Sequence, residues 1–215
     1  MIITIDGPAG SGKSTVANLI SEKLGFERLD SGSLFRGATA HLLDNNFDFS
    51  TITQSSDLPN FNFELKYQDN NKLVIVNDID YTSRLRDVNV SNNVSILAKN
   101  KNFRKNLDLF QRQYAQGRNI VVDGRDTGSH VYPNAEYKFY LDCAVEERAK
   151  RRYNEHLSKG EDVDYQDILD EMIKRDYNDK TREVAPLIIP DNAIIIDSTN
   201  MSITQVVDTI LSQIN

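Results

Sequence analysis

Gly7-Pro-Ala-Gly-Ser-Gly-Lys-Ser14 decides how the rest of the chain is read. It completes the pattern G-x-x-x-x-G-K-[ST]. Gly7, Gly10 and Gly12 let successive backbone N–H groups converge on phosphate oxygens, Lys13 supplies a compact positive charge for the β and γ phosphates, and the Ser14 hydroxyl can ligate Mg²⁺. A nucleoside triphosphate is therefore the first expected ligand, with Mg²⁺ on Ser14. The flanks fit the loop. Met1 to Asp6 is a short apolar run suited to a buried strand, and Val16, Ala17, Leu19, Ile20, Lys23 and Leu24 recur at helical spacing until Gly25.

Working outward, four segments resemble the first strand: Glu27 to Asp30, Asn119 to Asp123, Tyr137 to Asp142 and Ala193 to Asp197. Helical patterns fall between them, at roughly 14–24, 33–44, 102–115, 146–157 and 203–214. This alternation predicts an α/β fold, a phosphate-loop core with a five-stranded parallel sheet flanked by helices. Ligands of such sheets bind beyond the carboxyl ends of the strands, where the loop, Asp30 and Asp123 all fall. One stretch breaks the rhythm. Phe61 to Tyr67 alternates with period two, Gln68-Asp-Asn-Asn71 reads as a turn, and Lys72 to Asn77 is strand-like again, which predicts an antiparallel hairpin in an inserted lobe at about 60–88. A second irregular region, 158–190, carries an amphipathic helix around Ile168, Leu169, Met172 and Ile173.

Composition narrows the partners. The 215 residues carry 25 Lys+Arg against 32 Asp+Glu, a net charge of −7, with a pI near 5.0. That balance argues against a nucleic acid polymer or an anionic membrane as the main partner. We expect a cytoplasmic monomer with no signal peptide and no membrane span. Cys143 has no second cysteine to pair with and is expected in the core at a strand end, and His41, His130 and His156 lack metal-ligand spacing.

Three segments are candidates for a second anionic substrate. Asp30-Ser-Gly-Ser-Leu-Phe-Arg36 follows the second strand, and a helix beginning near Ser33 would put Arg36 in its first turn, beside exposed N–H groups. An ordinary N-cap with a solvated arginine is the alternative. Asp123-Gly-Arg-Asp-Thr-Gly128 follows the central strand and offers a guanidinium and a carboxylate at the ligand edge; its alternative is a surface turn in which Arg125 and Asp126 pair with each other. Arg175, Asp179 and Arg182, spaced i, i+4, i+7, would share one helical face, either as a site or as a solvated ion-pair ladder.

Together these segments resemble the bacterial cytidylate kinase family, a branch of the nucleoside monophosphate kinases, nearly end to end. The resemblance rests on Gly7 to Thr15, Leu29-Asp-Ser-Gly-Ser-Leu-Phe-Arg36, Asp123 to Gly128, Phe139-Tyr-Leu-Asp142, Glu146-Glu-Arg-Ala-Lys-Arg-Arg152 and Arg182-Glu-Val-Ala-Pro-Leu187. It implies transfer of the γ-phosphoryl group of ATP to CMP or dCMP. It also implies a core at 1–30, 117–145 and 186–215, a monophosphate-binding region with the β insertion at 31–116, and a short helical lid at 146–185. Pro8, Ala9, Ser11 and Thr15 would join the glycines, Lys13 and Ser14 around ATP, with Arg148 beside them. Ser31 and Arg36 would hold the acceptor, Arg36 on its phosphate; Ser95, Arg104 and Asp126 would surround the cytosine; Arg125 would take the acceptor phosphate. Arg175 and Asp179 match positions near the sugar, and Arg182 one on phosphate. Arg148, Arg151 and Arg152 match a basic lid helix, and Lys13, Arg125, Arg152 and Arg182 are the implied catalytic set. Phe35 stands where a Tyr is usual, and Asn178 and Lys180 occupy lid positions often held by Arg. An acceptor phosphate is mostly ionised at neutral pH, so no general base is expected, which agrees with motifs rich in Arg and poor in His. The guanine-recognition pattern N-K-x-D is absent, because Asn178-Asp-Lys-Thr181 has the wrong order.

Overall fold

The computed structural model describes residues 1–68 and 71–214. In chain order the elements are β1 (Ile2–Asp6), α1 (Lys13–Leu24), β2 (Glu27–Asp30), α2 (Ser31–Asp44), β3 (Phe63–Gln68), β4 (Asn71–Val76), β5 (Ile79–Asp80), α3 (Val88–Leu97), α4 (Lys101–Ala115), β6 (Ile120–Gly124), β7 (Tyr137–Asp142), α5 (Val145–Ser158), α6 (Tyr165–Thr181), β8 (Ile194–Asp197) and α7 (Ile203–Leu211). They divide into two compact units, one of Met1–Leu29 with Gly117–Asn215 and one of Asp30–Gln116.

The first unit holds the five-stranded sheet, in the order β2-β6-β1-β7-β8. β1 pairs in parallel with β6 and β7, and β7 with β8. The central strands are almost wholly buried, β1 from Ile3 to Asp6 and β6 from Ile120 to Asp123. Ile3 and Ile5 of β1, Val121 of β6, and Phe139 and Leu141 of β7 form one core with Val16, Ala17 and Ile20 of α1 and Val206, Val207 and Ile210 of α7. α1 stops where Gly25 turns left-handed at φ 67°, and α7 starts at a reciprocal Ser202–Gln205 capping box. The expected lid stretch, 146–185, falls inside this unit.

The second unit carries the antiparallel sheet β3-β4-β5, with α2, α3 and α4. β3 and β4 pair from Phe63 with Val76 to Gln68 with Asn71, so the hairpin is confirmed apart from its turn, which falls on residues outside those described. The unit is larger than a hairpin lobe. Its interior is an aromatic cluster in which the Phe103 ring of α4 meets Phe35 of α2 at 5.4 Å and Phe61 at 5.1 Å between centroids. α3 was not expected from Val88-Asn-Val-Ser-Asn-Asn-Val-Ser-Ile-Leu97, since Asn, Ser and Val all favour other conformations. It forms because Val90, Val94 and Leu97 bury one helical stripe.

Candidate active site

The donor half is built by backbone geometry. β1 ends at buried Asp6, and the chain turns at once through Gly7, whose φ is 150° and where a built Cβ would lie 2.2 Å from the Leu141 carbonyl oxygen of β7. Only glycine passes that strand. Gly12 is the N-cap of α1 at φ 91°, with no side chain capping the helix, so the positive end of α1 faces the loop. Lys13 is buried and donates to its own loop, from Nζ to the Pro8 carbonyl at 2.5 Å and to Ser11 Oγ at 3.2 Å. Burial, then the nearby Arg125 and Arg175 guanidinium groups, push its pKa well below the usual lysine value, against the pull of Asp123 and Asp6.

Beside the loop, Ser14 Oγ donates to Asp123 Oδ2 at 2.7 Å. The other oxygen of Asp123, Oδ1, accepts from Arg28 Nε of β2 at 3.0 Å, and Arg28 Nη2 lies within ion-pair distance of it at 3.0 Å. A hydroxyl and a carboxylate are hard oxygen donors, the set Mg²⁺ prefers when phosphates and water complete its shell. Among the described residues no cluster of three or more His, Cys, Asp or Glu side chains could hold a metal unaided. His41 sits in the second unit against the Tyr81 hydroxyl, and His156 pairs with Glu161, as structural roles require.

The turn after β6 is tied to β1. Asp6 accepts from Thr127 N–H at 2.9 Å, Thr127 Oγ1 at 2.8 Å and Gly128 N–H at 2.7 Å. Burial raises its pKa to about 6, opposed by the hydrogen bonds from Gly128 and Thr127 and reinforced by the charge of Asp126. Thr127–Val131 forms a single π-helical turn, and Arg125 and Asp126 emerge just ahead of it. They do not pair with each other as in the alternative surface turn. Arg125 Nε binds Asp179 Oδ2 at 2.9 Å, and Asp126 Oδ1 accepts from Arg182 Nη2 at 3.0 Å. Arg182 Nη1 lies 3.7 Å from Asp179 Oδ1, which completes an alternating chain of Arg125, Asp179, Arg182 and Asp126. Burial alone would raise the Asp179 pKa; Arg125, Arg182 and Arg175 outweigh it and leave the carboxyl lowered.

Two expectations about helix position are corrected. α6 ends at Thr181, so Arg182 is an extended C-cap residue at φ −62°, ψ 139° rather than the third member of a helical face. Its Nε donates to the Ala185 carbonyl at 2.6 Å, and this turn, not the helical period, aims it at Asp126. α2 begins at Ser31 with Asp30 as N-cap, which moves Arg36 into the second turn. The long side chain nevertheless reaches back, since a Cβ built on Gly32 would lie 3.0 Å from Arg36 Nη1 and 3.2 Å from Asp30 Oδ1.

In the second unit Ser31 is buried at the start of α2 and Ser95 is half-buried on α3. Arg104 is 2% exposed, donates from Nε to the Ala98 carbonyl at 2.6 Å, and lies with its guanidinium carbon 5.0 Å from the Phe35 ring centre. Phe35, where a Tyr is usual, thus serves as a stacking face.

Of the basic residues on α5, Arg152 is exposed and pairs with Glu155, and Arg151 pairs with Glu147. Arg148 is different. It is buried and donates from Nε to the Cys143 carbonyl at 2.8 Å, from Nη1 to the Ala9 carbonyl at 2.8 Å and from Nη2 to Asp176 at 2.6 Å. Expected beside ATP, it binds the Ala9 carbonyl of the phosphate loop and ties that loop to α6 through Asp176. Sequence reasoning missed Asp6, Arg28 and Asp176. Asp6 had a signal, its place at the carboxyl end of a strand directly before the loop; Arg28 and Asp176 had none.

The cytidylate kinase family model matches residues 3–215. A cytidylate kinase of Fusobacterium nucleatum is 41% identical over 215 residues, covering 100% of this chain and 97% of that protein. One from Streptococcus sanguinis is 44% identical, covering 95% and 92%, and one from Bacillus subtilis is 41% identical, covering 99% and 95%. Among solved structures, a shikimate kinase from Bacteroides thetaiotaomicron aligns at a TM-score of 0.50 with 10% identity, covering 99% of this chain and 97% of that one, a likeness of fold alone. With a complete phosphate loop on the ligand edge of a parallel sheet, an ordered set of arginines and carboxylates on the same edge, and relatives matched over nearly their whole length, the chain belongs to the cytidylate kinase family of nucleoside monophosphate kinases.

Proposed function

We propose that this protein transfers the γ-phosphoryl group of ATP to CMP or dCMP, giving ADP and CDP or dCDP. The observation that carries this reading is the Arg125–Asp179–Arg182–Asp126 chain on the same unit as the phosphate loop. Its guanidinium groups are held by carboxylates that an acceptor phosphate can replace as partners. Gly7 to Thr15 bind the triphosphate, Lys13 leaving its loop carbonyl for the β and γ oxygens. Ser14 would hold Mg²⁺ with support from Asp123, and the ion would neutralise charge on the phosphates.

Arg36 and Arg125 bind the acceptor phosphate, Arg175 and Asp179 the sugar, and Ser31, Ser95, Arg104 and Asp126 the remaining acceptor groups. An acceptor phosphate oxygen attacks the γ phosphorus while the bond to the β–γ bridging oxygen breaks. No base is required, because a phosphomonoester with a second pKa of about 6 is already ionised at neutral pH. Charge therefore does the work: Lys13, Arg125, Arg152 and Arg182 stabilise the oxygens of a loose, in-line transition state. The expected lid at 146–185, with the region at 31–116, excludes water as the competing acceptor.

The test is ADP formation by the purified protein with CMP, dCMP, UMP, AMP or no acceptor. Turnover with CMP and dCMP above the other acceptors supports the proposal. A preference for UMP or AMP would reassign the acceptor, and equal ADP release without one would make the protein a nucleotide hydrolase.

A further inference from the structure

We infer that Arg28 is the resident counter-cation of Asp123, compensating this buried carboxylate when no divalent ion is present and yielding, at a cost to metal affinity, when the ion arrives with the nucleotide. The inference rests on the assignment of the metal to Ser14 and Asp123.

Asp123 is 3% exposed at the end of the central strand. A buried carboxylate without a partner is strongly destabilising, so this one must be balanced by a cation of the fold or by a bound ion. Lys13 does not bind it directly, since its Nζ is spent on Pro8 and Ser11. Arg28 does: its Nε and Nη2 each lie 3.0 Å from Oδ1. The second oxygen, Oδ2, takes the Ser14 hydroxyl proton at 2.7 Å. That bond turns the lone pairs of Ser14 Oγ away from Asp123, ready for a cation.

The same arrangement places a fixed positive charge on the carboxylate that would support the metal. A divalent ion at Ser14 meets like-charge repulsion from Arg28 and finds Asp123 Oδ1 already occupied. Arg28 is not rigidly enclosed. Its side chain keeps 24% exposure, against 3% for that of Asp123, although the Nη2 atom that faces the carboxylate is itself buried, so the arginine has an edge towards water that the carboxylate lacks. The structure therefore pairs a buried anion with a partly exposed cation.

Mn²⁺ with ADP serves as the probe, read by loss of the free Mn²⁺ electron paramagnetic resonance signal on titration with protein. Arg28→Leu is expected to bind Mn²⁺ about tenfold more tightly than the wild type. Arg28→Lys, which keeps the charge, should remain within about twofold of the wild type. The melting temperature of Arg28→Leu should fall more in nucleotide-free protein than under saturating Mn²⁺ and ADP, because only the former relies on the arginine. Ser14→Ala separates the two ideas: unchanged Mn²⁺ binding in that variant would overturn the metal assignment itself. If Ser14→Ala weakens Mn²⁺ binding while Arg28→Leu matches the wild type or binds more weakly, the role of Arg28 as a competing counter-cation is overturned. Should Arg28→Leu fail to fold, Arg28→Gln is measured in its place with the same expected direction.

Discussion

The phosphate loop and the arginine–carboxylate chain lie on one unit, yet they are specified in opposite ways. The loop is local and made of backbone. Eight consecutive residues fix it, and its strictest requirement is Gly7, where a Cβ would strike β7. The charge chain is non-local and made of side chains, joining Arg125 to a partner 54 residues away and Asp126 to one 56 residues away. A backbone site tolerates little change in shape, whereas a side-chain network tolerates change in shape but not in charge. Substitutions that separate these two sensitivities are the way to break the comparison.

The largest effect is expected at Lys13. Lys13→Met removes the loop's charge without changing its glycines, so the fold should persist while kcat falls by at least ~10²-fold, the scale of losing one preorganised electrostatic stabiliser. Circular dichroism and steady-state rates check both halves. Near-normal turnover would reject the donor assignment.

Asp6 tests the join between the two regions. Its folded pKa of about 6 lies above the ordinary aspartate value of 3.8, so between those values the folded protein holds a proton that the unfolded chain has released. Stability from this group is complete below about pH 4, is lost as pH rises through about 6, and is flat above that. The shift corresponds to about 3 kcal/mol as an upper figure. Urea denaturation from pH 4 to 7 should show this slope in the wild type and a flatter profile in Asp6→Asn. Identical slopes would mean that Asp6 does not titrate there.

How much was legible follows the same division. The strands at Ile2–Asp6 and Tyr137–Asp142 matched the sequence reading residue for residue, because apolar runs ending in Asp announce both the buried strand and its ligand edge. The loop was legible for the same local reason. The partners of Arg125 and Asp126 were not, because nothing in Asp123 to Gly128 tells whether the two residues pair with each other or with α6 and its cap. Arg182 was placed on a helical face by spacing alone, and the C-cap at that residue undid the inference. Arg148 was given a lid role by the family resemblance; its burial against Ala9, Cys143 and Asp176 is a tertiary fact that the sequence does not carry.

Smaller effects are expected in the charge chain itself. Arg36→Ala and Arg125→Ala should each raise the KM for CMP or lower kcat by about ten- to a hundredfold, with ATP affinity nearly unchanged. If both act on one acceptor phosphate, the double variant should lose less than the sum of the two free energies, by about 1 kcal/mol. Strict additivity would assign the two arginines to separate groups.

The smallest expected effect is the most selective. Cytosine presents an N4 amino donor where uracil presents an O4 acceptor, so a carboxylate facing that edge accepts a hydrogen bond from CMP and repels UMP. Asp126 is buried and its Oδ1 receives Arg182, so reading the base and holding Arg182 draw on the same carboxylate. Asp126→Asn should therefore do two separable things. It loosens Arg182, lowering kcat for every acceptor, and it offers an amide N–H to O4, lowering the CMP/UMP ratio of kcat/KM by about fivefold or more. The common loss reports the charge chain and the ratio reports the base. Rates for both acceptors at saturating Mg-ATP distinguish them, and an equal loss with an unchanged ratio would leave Asp126 as a partner of Arg182 and remove it from base recognition.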